Sequence, residues 1–134
     1  MVMKRPVPLP GGELEYAVMA ALWKLGRGST RELHERVGAP QGLVYTTVGK
    51  VLDRLHTKGL VSRTLEGNTF VYEPELSRDV VERARARDML RRLFGQDQNP
   101  AIATLVDAIE DINPDLLDEL TQLVEARRRD RRGS

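Results

Sequence analysis

In the stretch GLVYTTVGKVLDRLHTKGLVSR, Gly42 to Arg63, small hydroxyls and cations crowd one side of a segment whose other side is apolar. Threonine can donate to or accept from base edges, and its methyl can touch a thymine methyl. Thr46 and Thr47 supply these groups, and Lys50, one turn further on, can reach guanine acceptors or a phosphate. Gly49 has no side chain, so a helix bearing it can approach a base pair or the backbone closely; otherwise it weakens the helix by about 1 kcal/mol. Arg54, Lys58 and Arg63 suit phosphates, as do Ser29, Thr30 and Arg31 at the start of the preceding helix. Together these groups have the chemistry of a duplex-reading face. An ordinary charged surface, on a module that binds other proteins and never touches DNA, remains the alternative.

Enzyme chemistry is poorly provided for. The two histidines, His34 and His56, fall on separate helices, and no His–His or His–carboxylate spacing marks a metal site. Glu110-Asp111 and Asp118-Glu119 have the pattern of solvated faces of amphipathic helices. No glycine-rich loop follows a strand, so neither catalysis nor a cofactor is expected. With no cysteine, disulfides and thiolate metal sites are excluded, and a cytoplasmic, nucleoid-associated protein is the expectation. No run of 18 apolar residues occurs, and MVMKRPVPLPGG lacks the apolar segment of a signal peptide.

The elements that must position the cationic face follow from periodicity. Residues 1–12 are proline-rich and read as a flexible arm. From Glu13, Leu14, Ala17, Val18, Ala21, Leu22 and Leu25 recur at helical spacing, with Tyr16, Met19 and Trp23 as a second stripe. Ser29 or Thr30 caps a short second helix that turns Leu33 and Val37 inward. The third helix runs from about Val44 to Lys58. Stepping about 100° per residue gathers Val44, Val48, Val51, Leu52 and Leu55 on one side. Two β-rich runs around Gly67-Asn68 form a hairpin closed by Pro74. Three helices and a ribbon make a winged helix-turn-helix domain over 13–75.

The remainder is helical, so the fold class is mainly α with a small β-hairpin. Ser77 caps a helix to about Phe94, and Asn99-Pro100 and Asn113-Pro114 each open another. Their apolar stripes, Leu90, Leu93, Phe94, Ile102, Leu105, Val106, Ile109, Leu116, Leu117, Leu120, Leu123 and Val124, lack an obvious core of their own. A homodimer through residues 76–126 is the economical explanation. Between Asp97 and Ala126 lie eight acidic residues and no Lys or Arg, and the chain then ends in RRRDRRGS, a basic tail over 127–134 expected to be disordered.

With these elements in place, LEYAVMAALWKLG, STRELHERV, YTTVGKVLDRLHTKGLVSR and EGNTFVYEPELSR resemble the BlaI/MecI/CopY family of penicillinase-type bacterial repressors. The resemblance is continuous from about Gly12 to Arg78. It implies a homodimeric winged-helix repressor of palindromic operators, with the N-terminal domain on double-stranded DNA and interlocked C-terminal helices. Thr47 matches the family's threonine at the start of the recognition helix, Gly49 and Lys50 fall at its two base-contacting positions, and Arg54 matches its conserved "RL" arginine. Asn68 sits at the wing tip, where relatives often carry arginine, so Asn68 and Gly49 are departures. The family's Asn-Phe cleavage bond aligns with Leu105-Val106, and its copper-binding Cys-x-Cys pairs have no counterpart here. Neither of the family's two known induction routes has its residues, which leaves the inducing signal open.

Overall fold

Helix α1 (Glu13–Leu25) buries Val18, Met19 and Leu22 completely, at the spacing the sequence displays. The computed structural model describes residues 7–95 and 98–133, with the backbone alone for 98–100. Leu14, Ala17, Ala21, Trp23 and Leu25 pack at the margin of the same core. Gly26 ends the helix by donating its N–H to the Leu22 carbonyl at 2.7 Å. Ahead of α1, Leu9 lies against the core and residues 7–10 are half-buried, so this segment is not a free arm. Residues 1–6 lie outside the described residues.

A two-residue strand, β1 (Gly28–Ser29), leads into α2 (Thr30–Leu33), which continues as a π-helical turn over His34–Gly38 and a 3-10 turn over Ala39–Gln41. The chain crosses the next helix at Gly38. A Cβ there would lie 2.6 Å from Val48 Cγ2 and 2.8 Å from His34 Cδ2, so the close approach requires glycine. Helix α3 (Tyr45–Thr57) buries Val48, Val51, Leu52 and Leu55 completely. Val44 is not part of this stripe: it is 63% exposed. It occupies the cap position in extended geometry (φ −80°, ψ 158°), where the 100° step no longer applies.

Strands β2 (Val61–Glu66) and β3 (Thr69–Pro74) pair antiparallel with Arg63 opposite Tyr72 and Leu65 opposite Phe70. Gly67, at φ 62°, takes the left-handed position of the two-residue turn. The sheet has three strands, not the two of the sequence reading, because β1 pairs with the free edge of β3 (Gly28 opposite Tyr72, Ser29 opposite Val71). A two-residue strand has no alternation to detect. Leu60, Val61 and Tyr72 carry the sheet's inner face into the core of α1, α2 and α3, completing a winged helix-turn-helix domain.

Helix α4 (Arg78–Phe94) opens with Ser77 Oγ accepting the Val80 N–H at 3.3 Å. The chain divides into two compact units between Arg87 and Asp88, inside α4 rather than after residue 75. The start of α4 belongs to the first unit because Val81 is buried in its core, Trp23 Nε1 donates to the Leu76 carbonyl at 3.0 Å, and the Arg85 guanidinium lies 4.0 Å from the Tyr16 ring centre. The second unit holds the end of α4 with α5 (Gln98–Ile112) and α6 (Asp115–Arg132), which pack on one another. Asn113 Oδ1 accepts the Asp115 N–H at 3.0 Å, fixing the start of α6 as expected. The side chains of Asn99 and Pro100 lie outside those described. Residues 127–132 are helical, contrary to the disordered tail expected: arginine is a good helix former, and cations suit a helix C-terminus.

Leu52→Ala should lower the unfolding free energy by about 2–5 kcal/mol through the cavity it leaves. Ser29→Ala should lower it by about 1 kcal/mol through loss of the cap. Urea titration followed by circular dichroism measures both, and a neutral Leu52→Ala would contradict the core described.

Candidate nucleic-acid interface

The outward ridge of α3 begins with Thr46 and Lys50 exposed and Thr47 half-buried beside them. Among the described residues Lys50 has no ion-pair partner, so its ammonium remains available for an external acceptor. Gly49 is half-buried on the flank toward α2, where an added Cβ would meet only Thr30 Cγ2, at an ordinary 3.9 Å. Nothing in the protein's own packing therefore requires glycine there. At the front of the ridge the large side chains of Val44 and Tyr45 are exposed. The Tyr45 ring stands edge-on to His34, 6.0 Å between centres, while His34 Nε2 donates to the Leu43 carbonyl at 2.8 Å. Sequence reasoning passed over Tyr45, although an aromatic opening an otherwise polar face was visible.

The second half of α3 departs from the expected row of phosphate-seeking cations. Lys58 Nζ lies 2.7 Å from Glu15 Oε1 and Arg54 Nε lies 3.7 Å from Glu15 Oε2, with the Glu15 side chain only 8% exposed. Lys58 also donates to the Leu9 carbonyl at 3.5 Å. Burial opposes the charge on Glu15. The Lys58 hydrogen bond, the Gly11 N–H and the charges of Lys58 and Arg54 outweigh it and hold the carboxyl below its ordinary value of 4.5. On the other flank Arg63 Nη1 donates to Asp53 Oδ1 at 3.0 Å, and its guanidinium stacks 4.4 Å from the Phe70 ring centre. Arg54 stays largely open to solvent. Lys58, though exposed at the helix end, has its ammonium engaged by Glu15.

At the start of α2, Ser29 Oγ accepts the Glu32 N–H at 3.2 Å while the Ser29 N–H donates to Glu32 Oε1 at 3.1 Å, a reciprocal capping box. The Ser29 hydroxyl is thus engaged within the protein, and Thr30 is 8% exposed with its methyl toward Gly49. Of these three residues, Arg31 presents the open side chain, loosely paired with Glu35 at 3.4 Å. Asn68 is exposed at the wing turn. Arg27, absent from the sequence prediction, clamps the wing by donating to Glu66 at 2.6 Å and approaching Glu73 at 3.6 Å. Both partners are distant in sequence, so no local pattern marks it.

In the second unit, Leu90, Leu93, Ile102, Val106, Leu116, Leu123 and Val124 are exposed, as is Met89. Phe94, Leu105, Ile109, Leu117 and Leu120 are half-buried.

The family model described as penicillinase repressor matches residues 11–126, which spans both units. The chain belongs to the penicillinase repressor family. It is 36% identical over 110 residues to the transcriptional regulator BlaI of Mycobacterium tuberculosis, covering 81% of this chain and 78% of that protein. Identity to the penicillinase repressor of Bacillus licheniformis is 24% over 123 residues, covering 92% and 94% of the two chains. The solution structure of the DNA-binding domain of the repressor BlaI aligns at 28% identity with a TM-score of 0.49, covering 57% of this chain and 90% of that one. No helix among the described residues of this family member is long and apolar enough to cross a membrane.

Gly49→Ala should raise the unfolding free energy by about 0.5–1 kcal/mol, since the helix gains propensity and the methyl meets no obstacle. A loss of stability on chemical denaturation would show that packing, not the outer face, dictates glycine. Because Glu15 titrates below its ordinary value, its charge stabilises the fold above about pH 4.5, and that contribution fades as pH falls through the depressed value. Melting temperatures recorded from pH 3 to 7 should therefore fall less on the acid side in Glu15→Gln than in the native chain.

Proposed function

We propose that the protein represses transcription as a homodimer on palindromic operators, with α3 of each copy in the major groove. Membership of the family makes it a DNA-binding transcriptional repressor. The observation that carries the assignment of α3 is its division of labour: four side chains fully buried on one side, and Thr46, Thr47 and an unpaired Lys50 displayed on the other. A major groove admits one such helix, whose first turns reach base edges. In this reading Thr46, Thr47 and Lys50 contact bases, Gly49 lets the backbone approach, and Arg31, Arg54, Arg63 and the wing turn at Asn68 touch the sugar–phosphate walls.

The dimer is supported by the second unit. Ala101, at 8% exposure, is its one buried apolar residue among those described, while Met89, Leu93, Ile102, Leu123 and Val124 remain open to solvent. Apolar surface left over this way in a pair of packed helices calls for cover, and a second copy supplies it symmetrically. Two copies would set their α3 helices into successive grooves about 34 Å apart. The basic end of α6 stays outside this assignment.

The test is fluorescence anisotropy against genomic fragments at two salt concentrations, with sedimentation of the free protein. Specific binding should weaken steeply with salt, and the particle should sediment at about twice 15.1 kDa. Lys50→Ala should change which sequences are preferred, whereas Arg31→Gln should weaken all duplexes alike. Gly49→Ala should bind operator more weakly despite its firmer fold. Salt-insensitive capture of duplex, or none, would return the fold to the protein-interaction alternative.

A further inference from the structure

We infer that Glu15 is a positioning residue that withholds Lys58 from DNA, and that it thereby sets how many phosphates α3 engages. The inference rests on α3 being the DNA-contacting helix. Lys58 projects from the same flank of α3 as Arg54, where a free ammonium would be drawn to a phosphate. Glu15 lies beneath it on α1, nearly buried, and takes the ammonium at 2.7 Å while its other oxygen lies 3.7 Å from Arg54.

A second feature closes the pair from outside. The chain ahead of α1 lies against it, with the Leu9 carbonyl 3.5 Å from Lys58 Nζ and Gly11 beside the Glu15 carboxylate. A Cβ on Gly11 would lie 2.8 Å from Lys58 Nζ and 3.0 Å from Glu15 Oε2, so a side chain there would push the lysine's end away from the carboxylate. Residues 9–11, Glu15 and Lys58 therefore form one clasp, and Lys58 binds the protein's own N-terminal segment in place of a ligand. Among the described residues, the partners Glu15 faces are Lys58 and Arg54 of α3 and the backbone of Gly11, with no second carboxylate among them. Arg54, longer and more open, is shared between Glu15 and solvent.

Each phosphate neutralised adds about 0.9 to the slope of log affinity against log salt, which makes the slope a count of contacts. The full chain is titrated against a random-sequence duplex of about 30 base pairs, long enough for two grooves. The native slope itself reports on DNA binding, and Arg31→Gln, expected to lower it by about 1.8 because each copy of the dimer loses one contact, serves as the control. Lys58→Met should leave the slope unchanged while lowering the melting temperature. Glu15→Gln should steepen it by about 1.8 to 3.6, as one or both cations are released in each copy of the dimer. Gly11→Ala, whose methyl displaces the ammonium but touches no core residue, should steepen it in the same sense and carries the test where Glu15→Gln does not fold. If Lys58→Met instead flattens the slope by about 1.8 and neither Glu15→Gln nor Gly11→Ala changes it, Lys58 is itself a phosphate ligand in both copies and Glu15 merely structural. A native slope of zero overturns the DNA assignment and this inference with it; a normal native slope with unresponsive variants overturns this inference alone.

Discussion

Everything on the outer side of α3 depends on four side chains on its inner side. Val48, Val51, Leu52 and Leu55 are wholly enclosed by α1, α2 and the sheet, so rotation of the helix about its axis would drag apolar surface into water. That constraint is what points Thr46 and Lys50 outward. Gly38 sharpens it, because the chain after α2 meets Val48 so closely that the helices have one way to cross. A protein that reads a groove needs its reading residues held on a rigid element, and here the rigidity is supplied by packing rather than by polar bonds.

Electrostatics then divides the cations of the helix into two groups. Among the described residues Lys50 makes no ion pair, while Arg54 and Lys58 pair with Glu15, and Arg63 on the neighbouring β2 pairs with Asp53. A cation already paired must exchange partners to meet a phosphate, so its gain is the difference between two attractions rather than the whole of one. The front of α3 accordingly presents a free cation, and the cations at its rear are engaged within the domain. The same pairing recurs in the wing, where Arg27 spans Glu66 and Glu73.

Much of this was legible in the sequence, for stated reasons. The buried stripes of α1 and α3 repeat at helical spacing, Gly67-Asn68 is a turn signal, and Ser29 with Glu32 spells a capping box. What escaped was non-local or too short to have a period. Glu15 and Lys58 are 43 residues apart, and nothing in either neighbourhood marks the other. β1 is two residues long, and Val44 fell off its stripe because the helix begins one residue later. The helical course of residues 127–132 was hidden by their charge, which suggests a solvated tail even though arginine propagates a helix well.

The pairing of β1 with β3 has a mechanical consequence. A lone two-stranded ribbon is compliant and would flex at its base. Here the strand that carries Tyr72 and Val71 is bonded on its far edge to Gly28 and Ser29, and Ser29 is the residue whose hydroxyl seals the first turn of α2. A push on the tip at Asn68 therefore travels down β3 as through a lever and arrives at the cap of a helix, 39 residues earlier in the chain at Ser29. The hairpin and the entry to the helix-turn-helix move as one part, so strain on one is felt by the other.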